Sequence, residues 1–121
     1  MAFADNKPRT IEQGLLPCKV TLAGAVYAGD LITYNSGWKQ AAAATTAECL
    51  VAGEAGASGE VITAYVAAIL SGTSDGTGGN EVISQDGGGY KESGTGQKVG
   101  ISLSATTMYI GPLLQPKVES S

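Results

Sequence analysis

Short apolar runs separated by glycine constrain the fold of this chain more than any other feature. From Cys18 onward, stretches such as "CKVTL", "LITYN" and "EVITAYVAAIL" alternate with Gly, Ser, Asn and Asp. Apolar runs of this kind, bounded by turn-forming residues, are typical of β-strands, and their regular repetition favours a sandwich or a barrel. We therefore predict a single all-β domain over residues 18–121.

The stretch "VYAGDLITYNSGW" predicts two tight turns. Gly29 can adopt the positive φ of such a turn, and the carboxylate of Asp30 can accept hydrogen bonds from the amides just beyond it. The "NSGW" that follows predicts a second turn, at Gly37, which closes a hairpin between residues 31–35 and 38–42. Gly29, Asp30 and Gly37 are thus expected to be structural turn residues.

Two regions differ from the rest of the chain in their pattern of apolar residues and in composition. Residues 1–17 show a period of neither 2 nor 3.6 and are expected to form an extended N-terminal arm. Residues 71–98, "SGTSDGTGGNEVISQDGGGYKESGTGQK", are expected to form a long Gly/Ser-rich loop insertion in which "NEVIS" could add one short strand.

Four apolar residues of the arm have no evident core to fill: Phe3, Ile11, Leu15 and Leu16. Such residues are candidates to dock on another protein, either as an added strand or as a segment that becomes ordered on binding. A disordered terminus is the alternative.

Charge and hydropathy narrow the classes of partner. Seven Lys and Arg against eleven Asp and Glu give a net charge of -4, so no surface suited to neutralising phosphates is evident and direct nucleic-acid binding is not expected. No apolar stretch approaches a membrane span or the apolar core of a signal peptide. We expect a chain that is made in the cytoplasm and has no membrane partner.

The reactive side chains predict no enzyme, no cofactor and no metal site. The chain has no histidine, which removes Ser-His-Asp and Cys-His arrangements and the commonest metal ligand. The spacing of the acidic residues selects no pair for acid–base work, so they are expected to cap turns or to be solvated. "DGTGGNE" lacks the ligand spacing of a calcium loop, and "GTGQKVG" is not a phosphate-binding loop.

Two further pairs of residues leave alternatives open. Cys18 and Cys49 are expected to be buried thiols, with a disulfide between them as the less favoured alternative. Tyr34 and Trp38 lie on one predicted hairpin and are expected to be core aromatics or candidates for a subunit interface, where aromatic residues are enriched.

Residues 22–72, from "LAGAVYAGDLITYNSGWKQ" to "GEVITAYVAAILSG", resemble the small capsid decoration, or cement, proteins of tailed bacteriophages. In that family a strand leads into an "AGxxVxAGDLV"-like turn, which is followed by a short strand, a glycine turn and a "GEVVxV"-like strand. The matching residues are Ala23, Gly24, Val26, Gly29, Asp30, Leu31, Gly37, Gly53, Gly59, Glu60 and Val61.

The resemblance implies a compact β-barrel or β-tulip that forms a homotrimer and binds the major capsid protein on the outside of an expanded head. It implies a structural, non-catalytic role on the virion surface, in which the arm contacts the shell. The loop at 71–98 and the length of the arm depart from the simplest members of the family.

Two other functions compete with this expectation. The loop at 71–98 could be a recognition module for host carbohydrate or for another virion protein. Alternatively, the "VxAGDLI" turn also occurs in β-clip domains attached to sugar-acid enzymes, where Asp30 would be catalytic. The absence of histidine and of a second placed group argues against the enzyme.

Overall fold

A computed structural model of the chain describes residues 9–43, 48–72 and 76–111. These residues form strands joined by turns, together with one short 3-10 turn at Asp86–Gly88, so the prediction of an all-β fold is confirmed. The strands of the described ranges are β1 (Thr10–Thr21), β2 (Leu31–Tyr34), β3 (Trp38–Gln40), β4 (Cys49–Ala52), β5 (Val61–Ser71), β6 (Glu81–Gln85), β7 (Gly89–Lys91), β8 (Lys98–Ser102) and β9 (Thr107–Ile110).

The strands form one curled sheet organised around β5. The order is β3-β2-β4-β5-β9-β8-β6-β7, and β1 also pairs with β5, from Thr10 opposite Ser71 to Thr21 opposite Val61. β4 and β9 pair with different halves of β5, so the sheet divides there. A bridge between Leu22 and Trp38 brings the end of β1 beside β3. The sheet therefore curls into a half-barrel.

Two apolar clusters fill the two parts of this curl. The cluster nearest the end of β1 contains Val20, Leu22, Val26, Ile32, Leu50, Ala52, Ile62 and Ala64, with Trp38 and Val66 packed against it. The other contains Leu31, Ala41, Cys49, Val51, Ala68, Leu70, Val82, Tyr90, Val99, Met108 and Ile110, with Ile11 packed against it. Small residues in β5 let the strand lie between both clusters.

Residues 21–34 and 51–64 follow the same backbone path, at an offset of 30 residues. The Leu22 amide donates to Glu60 O at 2.8 Å, and the equivalent Ala52 amide donates to Asp30 O at 2.8 Å. Val26 and Gly56 exchange hydrogen bonds with each other, at 2.9 and 3.1 Å. The two segments are therefore related by an approximate twofold axis that passes between Val26 and Gly56.

The turn at the heart of this unit occurs three times, at residues 27–30, 57–60 and 77–80, which we call the first, second and third turns. In each turn the fourth residue donates its amide to the carbonyl of the first, at 3.1, 3.1 and 3.0 Å. The third residue is a glycine with positive φ: 84° at Gly29, 91° at Gly59 and 91° at Gly79. Each turn leads directly into a strand, so the same turn conformation precedes β2, β5 and β6.

The hairpin predicted after the first turn is confirmed, because β2 and β3 pair antiparallel across Ser36 and Gly37. Gly37 has a φ of 119°, and a Cβ there would collide with the Ala23 side chain. Asp30 differs in one detail from its expected role as a turn residue. Its carboxylate accepts from the amide of Tyr27, which precedes it, because the turn folds back on itself.

Two regions contain strands that their sequence did not indicate. Residues 10–17, which were expected to belong to the arm, lie in β1 and pair with β5, and the strand continues to Thr21. Residues 1–8 lie outside the described residues. The expected loop at 71–98 contains β6 and β7, and it contributes Val82 and Tyr90 to the core. Its glycines form turns between short strands that a compositional argument does not resolve.

Alanine substitutions at Gly29 and Gly59 will separate backbone strain from crowding. Gly59→Ala is expected to lower the free energy of unfolding by about 1 kcal/mol, because the residue stays in the left-handed region while its Cβ meets none of the described residues within 4 Å. Gly29→Ala is expected to cost more, since the added Cβ would lie 2.9 Å from Arg9 Cβ. Urea unfolding followed by Trp38 fluorescence measures both, and equal losses would contradict the packing of Arg9 on the first turn.

Candidate functional site

Asp30, one of the predicted turn residues, lies at the centre of a buried polar cluster. Its Oδ1 atom is 3.1 Å from Arg9 Nη1, and both side chains are inaccessible to solvent. Its Oδ2 atom accepts from Gln40 Nε2 at 2.7 Å and from the Tyr27 amide at 2.9 Å. The carboxylate is thus held by donors from the start of β1, from β3 and from its own turn.

Tyr90 completes the cluster by packing on Arg9 and bonding to the first turn. The Arg9 guanidinium carbon lies 4.7 Å from the centre of the Tyr90 ring, which is within cation–π range. The Tyr90 hydroxyl donates to Gly29 O at 2.7 Å. Burial raises the pKa of Tyr90 far above the ordinary tyrosine range, and nearby Arg9 offsets this only in part. The ring therefore packs on the arginine as a neutral phenol.

This geometry bears on the idea that Asp30 could act in catalysis. A general base needs access to a substrate and an oxygen available for its proton. Asp30 has no exposed side-chain surface, and its two oxygens engage three donors. Its role in the folded chain is to anchor Arg9, and with it the beginning of β1, to the first turn.

The apolar residues expected to contact a partner occupy different environments along β1. Leu15 and Leu16 are exposed, at 45% and 64% of their surface, and they lie next to each other. Ile11 is half-buried and packs against the larger core cluster. Phe3 lies outside the described residues. The structure therefore exposes two of the four candidates, at consecutive positions of β1.

The outer edge of β1 carries features that oppose the addition of another strand. Pro17 has no amide to donate, and Leu16 adopts a φ of 56°, which departs from extended geometry. The register with β5 also shifts between Ile11 and Gln13. Such irregularities are a common means of protecting an edge strand from pairing. Of the two modes of docking expected for the arm, a segment that becomes ordered on binding is the better match.

Tyr34 and Trp38, the candidates for a subunit interface, face each other directly across the β2–β3 hairpin. Their ring centroids lie 5.7 Å apart at an angle of 78°, an edge-to-face arrangement. Tyr34 is 62% exposed, whereas Trp38 is half-buried against the smaller cluster. Beside them lies an open groove of about 420 Å³ whose lining includes Lys19 and Gly37. Trp38 thus packs against the core and also lines the groove, and Tyr34 is the exposed member of the pair.

The two cysteines are not joined by a disulfide. Cys49 is buried, as expected, but Cys18 is exposed on β1, so the expectation of two buried thiols is wrong for Cys18. The physical reason is that β1 turns most of its residues outward between Thr10 and Lys19.

Other kinds of site are not evident in the part of the chain that the structure describes. No three His, Cys, Asp or Glu side chains come together there in a way that could hold a metal ion. Nor does any helix in those ranges have the length and apolar character that crossing a membrane requires. Comparisons with protein-family models, with curated proteins and with solved structures gave no match. The functional argument therefore depends on the chain's own geometry and on the sequence resemblance.

Neutralising Asp30 will test its role as the buried anchor. Asp30→Asn is expected to lower the free energy of unfolding by about 3–5 kcal/mol, because it leaves the Arg9 charge buried without its counter-charge. Glu60→Gln is the matched control, since Glu60 holds the same place in the exposed second turn and should cost less than about 0.5 kcal/mol. Chemical denaturation of both variants measures the difference, and similar small losses would disprove the anchor.

Tyr90 predicts a loss of stability at alkaline pH. Because its pKa is raised in the folded chain, its contribution is fully present below about pH 10, where tyrosine ionises in the unfolded chain, and is lost as the pH rises further. The free energy of unfolding of the wild type should therefore fall more steeply above that pH than that of Tyr90→Phe. Parallel curves for the two proteins would contradict the burial of this phenol.

Proposed function

We propose that this chain is a structural decoration protein that binds as a trimer to the outer surface of an expanded phage capsid and stabilises it. The sequence resemblance is the origin of the proposal. Its main structural support is the burial of the Arg9–Asp30 ion pair where residues 1–8 join the folded body. The alternatives are a recognition module and an enzyme.

The ion pair suits a protein that grips its partner through an N-terminal segment. Residues 1–8 end immediately before Arg9, whose guanidinium is buried against Asp30 and Tyr90. β1 then pairs with β5 along its length. A force that pulls on the N-terminal segment would therefore be resisted by the buried ion pair and by the pairing of β1 with β5.

The exposed residues of β1 extend the proposed contact from this segment onto the body. Leu15 and Leu16 each expose apolar surface on β1. An apolar contact at this position would add burial to whatever residues 1–8 contribute. We assign Phe3, Leu15 and Leu16 to the proposed contact with the major capsid protein, and Ile11 to the core that supports it.

The stabilisation follows from linkage. A protein that binds only the expanded shell favours that state by RT ln(1 + [L]/Kd) for each site, where L is the decoration protein. A trimer would hold three N-terminal segments together, so that each binds at a high effective concentration and needs only modest affinity. We assign the trimer contact to the face that carries Tyr34, because an exposed aromatic next to a groove is typical of an interface.

Removing residues 1–8 will test the proposal directly. This deletion keeps Arg9 and all of β1, whereas a deletion up to Leu16 would also remove the buried anchor and most of the strand. The shortened chain is expected to stay folded and trimeric but to lose at least about tenfold in affinity for expanded heads, because each lost contact counts three times in a trimer. Co-sedimentation with purified heads, scored as copies bound per shell, measures this loss.

Unexpanded heads and the substitution Leu16→Ser complete the experiment. The full chain should saturate expanded heads and leave unexpanded heads bare, and Leu16→Ser should weaken binding without changing the sedimentation of the free protein. Undiminished binding by the shortened chain would refute the role of the N-terminal segment. No binding of the full chain to either form would overturn the proposed function.

That last outcome would direct attention to the recognition module. A recognition role was expected for the loop at 71–98, whereas the observation that favours a ligand site lies elsewhere. The exposed Tyr34 ring lines an open groove with Lys19 and Trp38, and aromatic rings flanked by polar groups suit small polar ligands.

A further inference from the structure

The first and second turns share a backbone but differ in what covers them. In the first turn Gly29 and Asp30 are buried, and the next residue, Leu31, is part of the core. In the second turn every residue from Ala57 to Glu60 is exposed, and the next residue, Val61, is 61% exposed. In this approximately twofold unit the first turn is thus covered by other parts of the chain, whereas the equivalent second turn is exposed to solvent.

The cover of the first turn comes from elsewhere in the same chain. The Arg9 side chain lies against Gly29 and reaches Asp30, while Tyr90 binds Gly29 O and Gly88 packs closely on Asp30. The ligand of the first turn is therefore an arginine at the beginning of an extended strand, backed by an aromatic ring. A second turn with the same backbone could bind a segment of the same kind in the same way. We call this position, over the turn glycine and on the acidic fourth residue, the seat.

The second turn keeps the acidic group that this seat requires. Glu60 Oε1 accepts from the Ala57 amide at 2.6 Å, as Asp30 Oδ2 accepts from the Tyr27 amide, so the carboxylate is held in the equivalent place. Among the residues that the structure describes, none lies within 4 Å of the position of a Cβ on Gly59, whereas Arg9 crowds the same position on Gly29. The nearby lysine, Lys19, donates to Thr63 Oγ1 at 2.9 Å.

The third turn does not offer this seat. Its fourth residue is Asn80, which carries no charge, and the amide of Thr77 binds Glu92 Oε2 instead. The same Glu92 oxygen also accepts from the hydroxyl of Ser102, so that carboxylate is committed within the fold. The acidic seat with an open approach is therefore specific to the second turn among the three.

We propose that the second turn, together with Val61, is a docking surface for an arginine-bearing extended segment of the capsid shell protein. The inference rests on the proposed function and adds a second contact to it, on the body rather than on the N-terminal segment. The arginine would lie over Gly59 with its guanidinium on Glu60, and the apolar part of the segment would cover Val61. The acidic balance of this chain, -4, favours a basic partner.

A second copy of this chain does not fit the seat as well as the shell protein does. The sequence contains a single arginine, Arg9, and its guanidinium is already buried on Asp30 within its own chain. A neighbouring copy therefore has no arginine to place on Glu60. An arginine placed on Glu60 has to come from a different protein, and in the proposed function that protein is the shell.

Glu60→Gln is the variant that tests this surface. The amide oxygen can still accept from the Ala57 amide, so the turn is kept while the charge is removed. An exposed ion pair contributes up to about fivefold in affinity, so loss at three sites of a trimer should weaken binding to expanded heads by up to about 100-fold. Glu81→Gln is the matched control, because Glu81 directly follows the third turn, its side chain is 62% exposed, and its carboxylate lies 3.6 Å from Lys98 Nζ, within the same chain.

Co-sedimentation of the wild type and both variants with expanded heads, at low and at high salt, gives the result. We expect Glu60→Gln to bind more weakly and to lose less affinity on adding salt than the wild type, while Glu81→Gln matches the wild type. Wild-type affinity and salt dependence in Glu60→Gln would overturn this inference and leave the proposed function standing. Failure of the wild type to bind heads would overturn both.

Discussion

The ion pair between Arg9 and Asp30 is the interaction on which the rest of the structure depends. It joins the beginning of β1 to the first turn, and through Gln40 and Tyr90 it reaches β3 and β7. Burying a charge away from water costs free energy unless its hydrogen-bonding and ionic partners are in place. The cluster is therefore stable only when all of these segments occupy their positions at the same time. The cluster thereby defines which strand ends meet, a task that the small and alanine-rich core is poorly suited to perform.

The sequence predicts the local features of this fold well. Gly29 and Gly37 were identifiable as turn glycines, and the β2–β3 hairpin followed from them, because a tight turn is encoded by adjacent residues. The all-β class followed from the alternation of short apolar runs with turn residues. Comparing the sequence with itself at an offset of 30 residues would also have revealed the repeated unit, since Gly29, Ile32 and Thr33 recur as Gly59, Ile62 and Thr63.

The features that the sequence did not predict depend on contacts between distant residues. Arg9 belonged to a stretch without periodicity, and nothing near it indicated a buried partner 21 residues away. Tyr90 stood alone in a Gly-rich stretch, where composition favoured a loop, yet its ring and hydroxyl complete the cluster around Asp30. For the candidate site, the exposure of Leu15 and Leu16 could be expected from the lack of a pattern, whereas the contrast between Asp30 and Glu60 required the fold.

The pairing of β1 with β5 has a consequence for how the chain acquires its structure during synthesis. Thr10 lies opposite Ser71, and Tyr90 must arrive before Arg9 is fully enclosed. β1 is therefore synthesised well before the strands and side chains that fix its position, and folding dominated by such non-local contacts is slow compared with that of helical domains. Until then the residues that precede β1 have no fixed base. In the role proposed here, the nascent chain would be able to bind its partner firmly only after Tyr90 has been synthesised and has packed on Arg9.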